Sequence, residues 1–290
     1  MTRRNPVTFF PVETQRLFAR NRDAMRGKPY VHYFDGDLWL HDEALDALRA
    51  PMPVERALPH TAAGFNRLLD PGELPGEIGF CELPNGAAYV ASRVPFPGCT
   101  GEMLSWWFWW HAVEPTRYAL WYPFNHERAV SLSPERLTAP GLSHAQRYLG
   151  TTQRVCEYIG PTKVDVLIDF VDPADLGMDT SRFARAGIVA HACAHVRSYR
   201  PRARIVTMLH LARATADGFE LRSRYWIGDD VRLEAFGASV PLGWLLDRTP
   251  VRRRLAGASV AYEQLLHDQI EFTHLSTFLP RIYAEFGDAR

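Results

Sequence analysis

Apolar and polar positions recur along this chain with two different periods. From about residue 150 the period is two. "QRVCEYIG" (153–160) and "KVDVLIDFVD" (163–172) alternate around a Gly-Pro turn, and "ARIVTMLHLARAT" (203–215) and "FELRSRYWIG" (219–228) alternate around "ADG". Such alternation predicts half-buried strands, and Asp-Gly at a tip predicts a hairpin. Near the end the period changes to 3.6. "YEQLLHDQIEFTHLSTFLP" (262–280) predicts a helix from about 258 to 279, stopped by Pro280, which has no N–H to continue the ladder. Strands followed by one long helix predict an α+β fold, an antiparallel sheet wrapped around that helix with a cavity between them.

The first third is patterned more weakly. Short helical patches stand at "VETQRLFARNRDAM" and "DEALDALRA", and "DPGELPGE", "LPNG" and "PFPG" make residues 70–98 a loop-heavy passage. We therefore divide the chain into a small irregular or helical N-terminal domain (1–95) and a larger domain (96–290).

On the C-terminal helix Glu263, His267, Glu271 and His274 fall within roughly 80° of one another. A narrow polar stripe between apolar flanks suits a buried helix whose titratable groups face an interior space. It also suits a partly solvated helix with a surface His–Glu pair. Other stretches carry chemistry. "WWFWWHAVEPTRYALWYPFNH" (106–126) holds His111, His126, Tyr118 and Tyr122 among Trp106, Trp107, Trp109, Trp110 and Trp121, and packing accounts for most of those rings. Glu157 shares a strand face with Val155 and Ile159, so its carboxylate points to the packed side, where it needs a partner or a metal, unless a turn at the Gly-Pro corner lets it reach water. In "VAHACAHV", His191, Cys193 and His195 share one face, a spacing open to metal binding but more common in strand packing. In the hairpin, alternation separates Arg222 and Arg224 from Tyr225; we place His210 and Tyr225 inward and the arginines in pairs elsewhere.

Composition narrows the classes. Of the 290 residues, 47% are hydrophobic and 23% charged, and the formal net charge is zero, so no nucleic-acid or membrane-surface footprint is expected. The basic run "RTPVRRRL" (248–255) reads as a solvated turn. No window is apolar enough to span a membrane, and the N-terminus has no sustained apolar stretch, so neither a signal peptide nor a twin-arginine leader is expected. Cys81, Cys99, Cys156 and Cys193 form no C-x-x-C pair and read as reduced thiols of a cytoplasmic protein. No G-x-S-x-G, P-loop or dinucleotide fingerprint is present, which removes serine-nucleophile and nucleotide chemistry.

Four blocks in this order, "WWFWWHAVEPTRYALWYPFNH", "GTTQRVCEYIG", "ELRSRYWIG" and "HDQIE", make residues 100–275 resemble the diacetylphloroglucinol hydrolase family, which includes phloretin hydrolases. The resemblance implies a helix-grip fold of the birch-pollen-allergen (Bet v 1) type with a smaller N-terminal domain. It also implies zinc-dependent cleavage of the carbon–carbon bond between an acyl group and a polyhydroxylated ring, giving a carboxylic acid and the arene. Carried over by motif, the metal ligands are His126, Glu157, His267 and Glu271. His126 is preferred to His111 because its distance to Glu157 in sequence matches the family's. Tyr118, His210 and Tyr225 fall where the family contacts substrate hydroxyls. One position departs: where known members have an asparagine that holds the substrate, this chain has Ala129.

Zinc is thus the expected cofactor, with Fe2+ or Mn2+ compatible with the same donors. The expected partner is a small aromatic ketone, and a homodimer is compatible with the chain. Two rivals remain at this stage: a non-catalytic helix-grip carrier of a hydrophobic aromatic ligand, which needs no metal, and a mononuclear iron oxygenase, which consumes dioxygen.

Overall fold

The alternating runs pair with one another, as their period requires. The computed structural model describes residues 4–200, 203–235, 238–243 and 251–287. Its strands in chain order are β1 (Asn5–Pro6), β2 (Trp39–Leu40), β3 (Gly79–Glu82), β4 (Ala88–Pro97), β5 (His126–Ser131), β6 (Thr152–Ile159), β7 (Thr162–Val171), β8 (Ile188–His191), β9 (Cys193–Ser198), β10 (Ala203–Ala214), β11 (Gly218–Ala235) and β12 (Ala238–Pro241). β1 and β2 pair with each other. The rest form one antiparallel sheet in the order β3-β4-β11-β10-β9-β7-β6-β5, with β8 also on β10 and β12 on β11. With a helix of 29 residues, Ala258–Phe286, this is an α+β fold.

Period two sorts the side chains of β10 cleanly. Met208 and His210 face the long helix across a cavity, whereas Leu209 and Leu211 join Cys193, Trp226 and Tyr89 on the opposite face. There Leu58, Phe65, Leu68 and Leu69 cover them, so the segment before β3 closes the outer side of the sheet. The loop-heavy reading of residues 70–98 needs correction. Here β3 and β4 form a hairpin, and β4 runs across residue 95. Pro95 and Pro97 obscure the strand in sequence, but β3 pairs only with Ala88–Ala91, so neither proline lacks an N–H that a second neighbour needs.

The long helix crosses the inner face. Gln269 donates to Ser92 on β4 (2.8 Å), and Phe272 packs edge-on against Phe96 (6.3 Å). Pro280 does not end this helix, contrary to expectation. The last turns are held by packing on the aromatic helix Gly101–Val113: Trp106 meets Tyr283 (5.3 Å), and Trp110 meets Phe286 (5.7 Å). Burial of that size outweighs the one backbone hydrogen bond a proline removes. Most of the tryptophan-rich block is therefore core. Of the basic run at 248–255, residues 248–250 lie outside the described residues; Val251–Ala256 is a short helix whose Arg253, Arg254 and Leu255 are solvated as expected, with Arg252 buried and Arg253 donating to Glu82 (2.6 Å).

Candidate metal centre

The convergence of four side chains follows from pairing and helical pitch. His126 opens β5, and its Cα partner on β6 is Glu157. Directly paired residues of antiparallel strands point to the same face, so both side chains lie on the inner face, where Glu157 lines the cavity and His126 is buried beside it. His267 and Glu271 lie one turn apart on the long helix and meet them from the other side. From His126 Nε2 it is 3.2 Å to His267 Nε2, 3.3 Å to Glu157 Oε2 and 3.4 Å to Glu271 Oε2. From His267 Nε2 to the two carboxylate oxygens it is 3.8 and 3.9 Å. Donors about 2.0–2.1 Å from a tetrahedral ion stand about 3.3 Å apart; His126, Glu157 and His267 are close enough together to share a metal ion, and Glu271 stands beside the two imidazoles.

Electrostatics point the same way. Burial, then the neighbouring His267, holds the His126 imidazole well below its ordinary pKa, and burial takes His267 down to about 3. Both rings are neutral and offer lone pairs. The His126 Nδ1–H donates to the Tyr118 carbonyl (3.2 Å), which leaves Nε2 aimed at the other three groups. Burial raises Glu157 to about 7, opposed in part by its bond from Tyr118, and raises Glu271 well above the carboxylate range, with Asp268 and Glu157 adding to the rise. Two carboxyls that resist ionising together, beside two neutral imidazoles, form a donor set that a dication stabilises.

The cavity behind these groups is about 480 Å³. Val166, Ile168, Phe170 and Val206 line its body, and Glu263, Gln264 and Arg254 stand among its polar wall residues. Tyr118, His210 and Tyr225 all line it. The Tyr118 ring stacks on His126 (3.8 Å, 2°), and its hydroxyl donates to Glu157. The Tyr225 hydroxyl donates to Asp268 (2.6 Å), and His210 Nδ1 meets Ser223 Oγ (2.8 Å).

Other readings from sequence separate here. His111 lines the cavity but stands apart from the four donors, its Nδ1 against the Trp107 carbonyl (2.7 Å). The polar stripe is not all cavity wall: Glu263, His267 and Glu271 line it, whereas His274 packs against Phe278 (5.3 Å). Beyond Glu271 the rings of Trp121 and Phe272 fill the space (5.1 Å), so the same helical face continues into solid core. Cys193 lies in the outer packing layer, and His195 meets Arg204 and Thr207 there. Among the described residues, the histidine, cysteine and acidic side chains close enough to share an ion are His126, Glu157 and His267, and Glu271 faces them at the distances given. Asp268 escaped sequence reasoning. It lies about 140° from Glu263 on the helical wheel, off the stripe. A lone acid among Leu265, Phe272 and Leu275 was the available signal, for a carboxylate does not sit on an apolar face without partners.

A family model described as DAPG hydrolase PhiG domain matches residues 58–284. The chain is 37% identical over 285 residues to a 2,4-diacetylphloroglucinol hydrolase of Pseudomonas protegens, covering 97% of this chain and 92% of that one. It is also 31% identical over 215 residues to a phloretin hydrolase of Eubacterium ramulus, covering 73% of each. The solved structure titled "Crystal structure of Ara h 8.0201" superposes with a TM-score of 0.29 at 8% identity, over 62% of this chain and 97% of that one, too slight a likeness to define the fold.

Proposed function

The chain belongs to the DAPG hydrolase family, and from that premise we propose that it hydrolyses the carbon–carbon bond joining an acyl group to a polyhydroxylated aromatic ring. The observation that carries this reading is the meeting of His126, Glu157, His267 and Glu271 at the end of a largely apolar cavity sized for one aromatic ketone. Those four would hold a divalent ion, and we propose zinc from the pair of imidazoles and the close donor spacing. We also propose that sheet and helix form a helix-grip fold, because the helix is tied to β4 through Gln269 and to β5 through His267. Four free, buried thiols suit a reducing, cytoplasmic setting; among the described residues no helix is long and apolar enough to cross a membrane.

The reaction adds water across the acyl–aryl bond. Oxygen goes to the acyl carbon and a proton to the ring carbon, which leaves with the bonding pair. That departure is feasible only for a ring whose hydroxyls let it take the keto form, with a carbonyl beta to the acyl carbonyl. When bound, the ion would polarise the acyl carbonyl and make water more acidic. The protein's part is to select that ring and move its protons. The apolar walls exclude water and accept the ring and acyl chain. Tyr225 and His210, on adjacent strands, would accept hydrogen bonds from ring hydroxyls and draw on those protons as the ring passes to its keto form. Burial takes His210 down to about 3, so it acts as a neutral imidazole. Tyr118, bonded to Glu157, would fix that carboxylate and share a proton with it.

The test is direct. Metal-loaded protein, incubated with a panel of acylphloroglucinols that includes phloretin, is expected to release free carboxylic acid and arene, detected by mass spectrometry. No acid from any member, with the ion bound, rejects the reading. Within it, Tyr118→Phe is expected to keep the ion, since the four donors remain, and to lower kcat by roughly 10²- to 10⁴-fold, the span of one proton-transfer group. Unchanged turnover would remove Tyr118 from the chemistry.

A further inference from the structure

Asp268 is fully buried, stands next to a proposed ligand on the long helix, and has no part in holding the ion. Its Oδ2 accepts the Tyr225 hydroxyl at 2.6 Å. The Ser92 and Ser223 hydroxyls flank the carboxyl at longer range, so that Oδ1 has no partner within hydrogen-bond distance. Ser223 is itself buried, and its Oγ is 2.8 Å from His210 Nδ1. One carboxyl thus stands behind both cavity-facing groups proposed to hold the ring.

We propose that Asp268 is a positioning residue that sets the hydrogen-bond polarity of Tyr225 and His210, so that both present acceptors to the substrate. The inference rests on the reading of the cavity as an acylphloroglucinol site. A hydroxyl has one hydrogen to give. Tyr225 gives its hydrogen to Asp268, which leaves oxygen lone pairs toward the cavity. An orphaned buried carboxyl oxygen is costly, and the nearby Ser223 hydroxyl, although beyond hydrogen-bond distance of Oδ1, points its hydrogen toward the carboxyl rather than toward His210. Ser223 Oγ then accepts from His210 Nδ1–H, and His210 Nε2 is left as a lone pair. Asp268, through its direct bond from Tyr225 and its longer-range pull on the Ser223 hydroxyl, makes this end of the cavity selective for ring hydroxyls that donate. A ring bearing methyl ethers at those positions has no hydrogen to give and is excluded.

The tautomer of His210 is the readout that a merely structural Asp268 would not move. Nitrogen-15 NMR of the imidazole, assigned by its absence in His210→Gln, is expected to show Nδ1–H in the wild type. In Asp268→Asn the amide can donate to Ser223, which turns its hydrogen to His210, and the ring is expected to switch to Nε2–H. Ser223→Ala, a milder change at the same relay, is expected to give a mixture; it decides the matter if Asp268→Asn does not fold. Wild-type His210 found as Nε2–H, or Nδ1–H unchanged in the folded variants, overturns the proposal. In kinetics, Asp268→Asn with its full complement of ion is expected to lose at least about tenfold in kcat/KM, and to lose less than that when added to Tyr225→Phe, where only the His210 branch remains to be disturbed. Additive losses would contradict shared action. Should the wild type cleave no acylphloroglucinol while the tautomer behaves as described, the functional reading fails and the relay stands.

Discussion

Glu271→Gln is expected to release the bound ion and, with it, the activity. Purified and dialysed wild type should carry about one divalent ion per chain, and the variant well below that by elemental analysis. Acid release from an acylphloroglucinol should fall by at least about 100-fold, because even partners that only orient a ligand change metal affinity or activity by roughly 10- to 100-fold. The cause is charge as well as geometry. Glu271 brings one of two carboxyls to the cluster, 3.4 Å from His126 Nε2, and an amide there supplies a weaker donor with no charge to balance a dication. The fold should survive, for burial already works against the ionised form of this group, and a neutral amide of the same shape meets no such opposition. A folded variant that keeps full metal and full turnover would falsify the four-donor site. Glu157→Gln offers an independent check from the sheet side, and both should behave alike if one ion joins strand and helix.

Some of this site was legible in the chain and some was not, and the difference lies in the range of the interactions. Glu157 between Val155 and Ile159, and His267 one turn before Glu271, follow from local periodicities of two and 3.6, and in the structure Val155, Glu157 and Ile159 all line the cavity. The strands around "ADG" emerge for the same reason. Choosing His126 over His111 came from resemblance. Geometry supplies the physical cause: His126 is paired across the ladder with Glu157, whereas His111 sits on the aromatic helix with its Nδ1 held by Trp107. What failed was what packing decides. Pro280 is a local stop signal, yet Trp106 and Trp110 carry the helix past it. His274 shares the polar face of Glu271, but nothing in the sequence says where the cavity closes. Asp268 is polar on the wrong face for the stripe, and only the approach of β11 reveals its partner, Tyr225.

The other large effect is expected far from the cavity. Glu77 is buried on the outer side of the sheet, where Arg224 Nη2 donates to it at 2.7 Å and Arg222 Nη2 stands 3.4 Å away. Both arginines are themselves buried, as alternation opposite Tyr225 requires. Burial alone would raise the Glu77 carboxyl, but Arg224, the Leu74 backbone N–H and Arg222 together outweigh it and hold the group below its ordinary value of 4.5. The sign follows: Glu77 stabilises the fold fully above that ordinary value, and the contribution is lost as pH falls through its lower folded value. Glu77→Ala leaves Arg224 bonded to the Ser92 and Ser223 carbonyls (3.3 and 2.8 Å) with no carboxylate, while Arg222 keeps Glu220 at 2.7 Å. Stranding a buried guanidinium in this way costs about 3–5 kcal/mol. Urea denaturation should show that loss with the slope unchanged, and heating should show a fall on the order of 10 °C at this chain length. Metal content at low temperature should be unaffected, since the cluster faces away from the four donors. A loss below about 1 kcal/mol would mean that water reaches Arg224 once Glu77 is gone, and that the segment before β3 is not pinned to the sheet through this carboxylate.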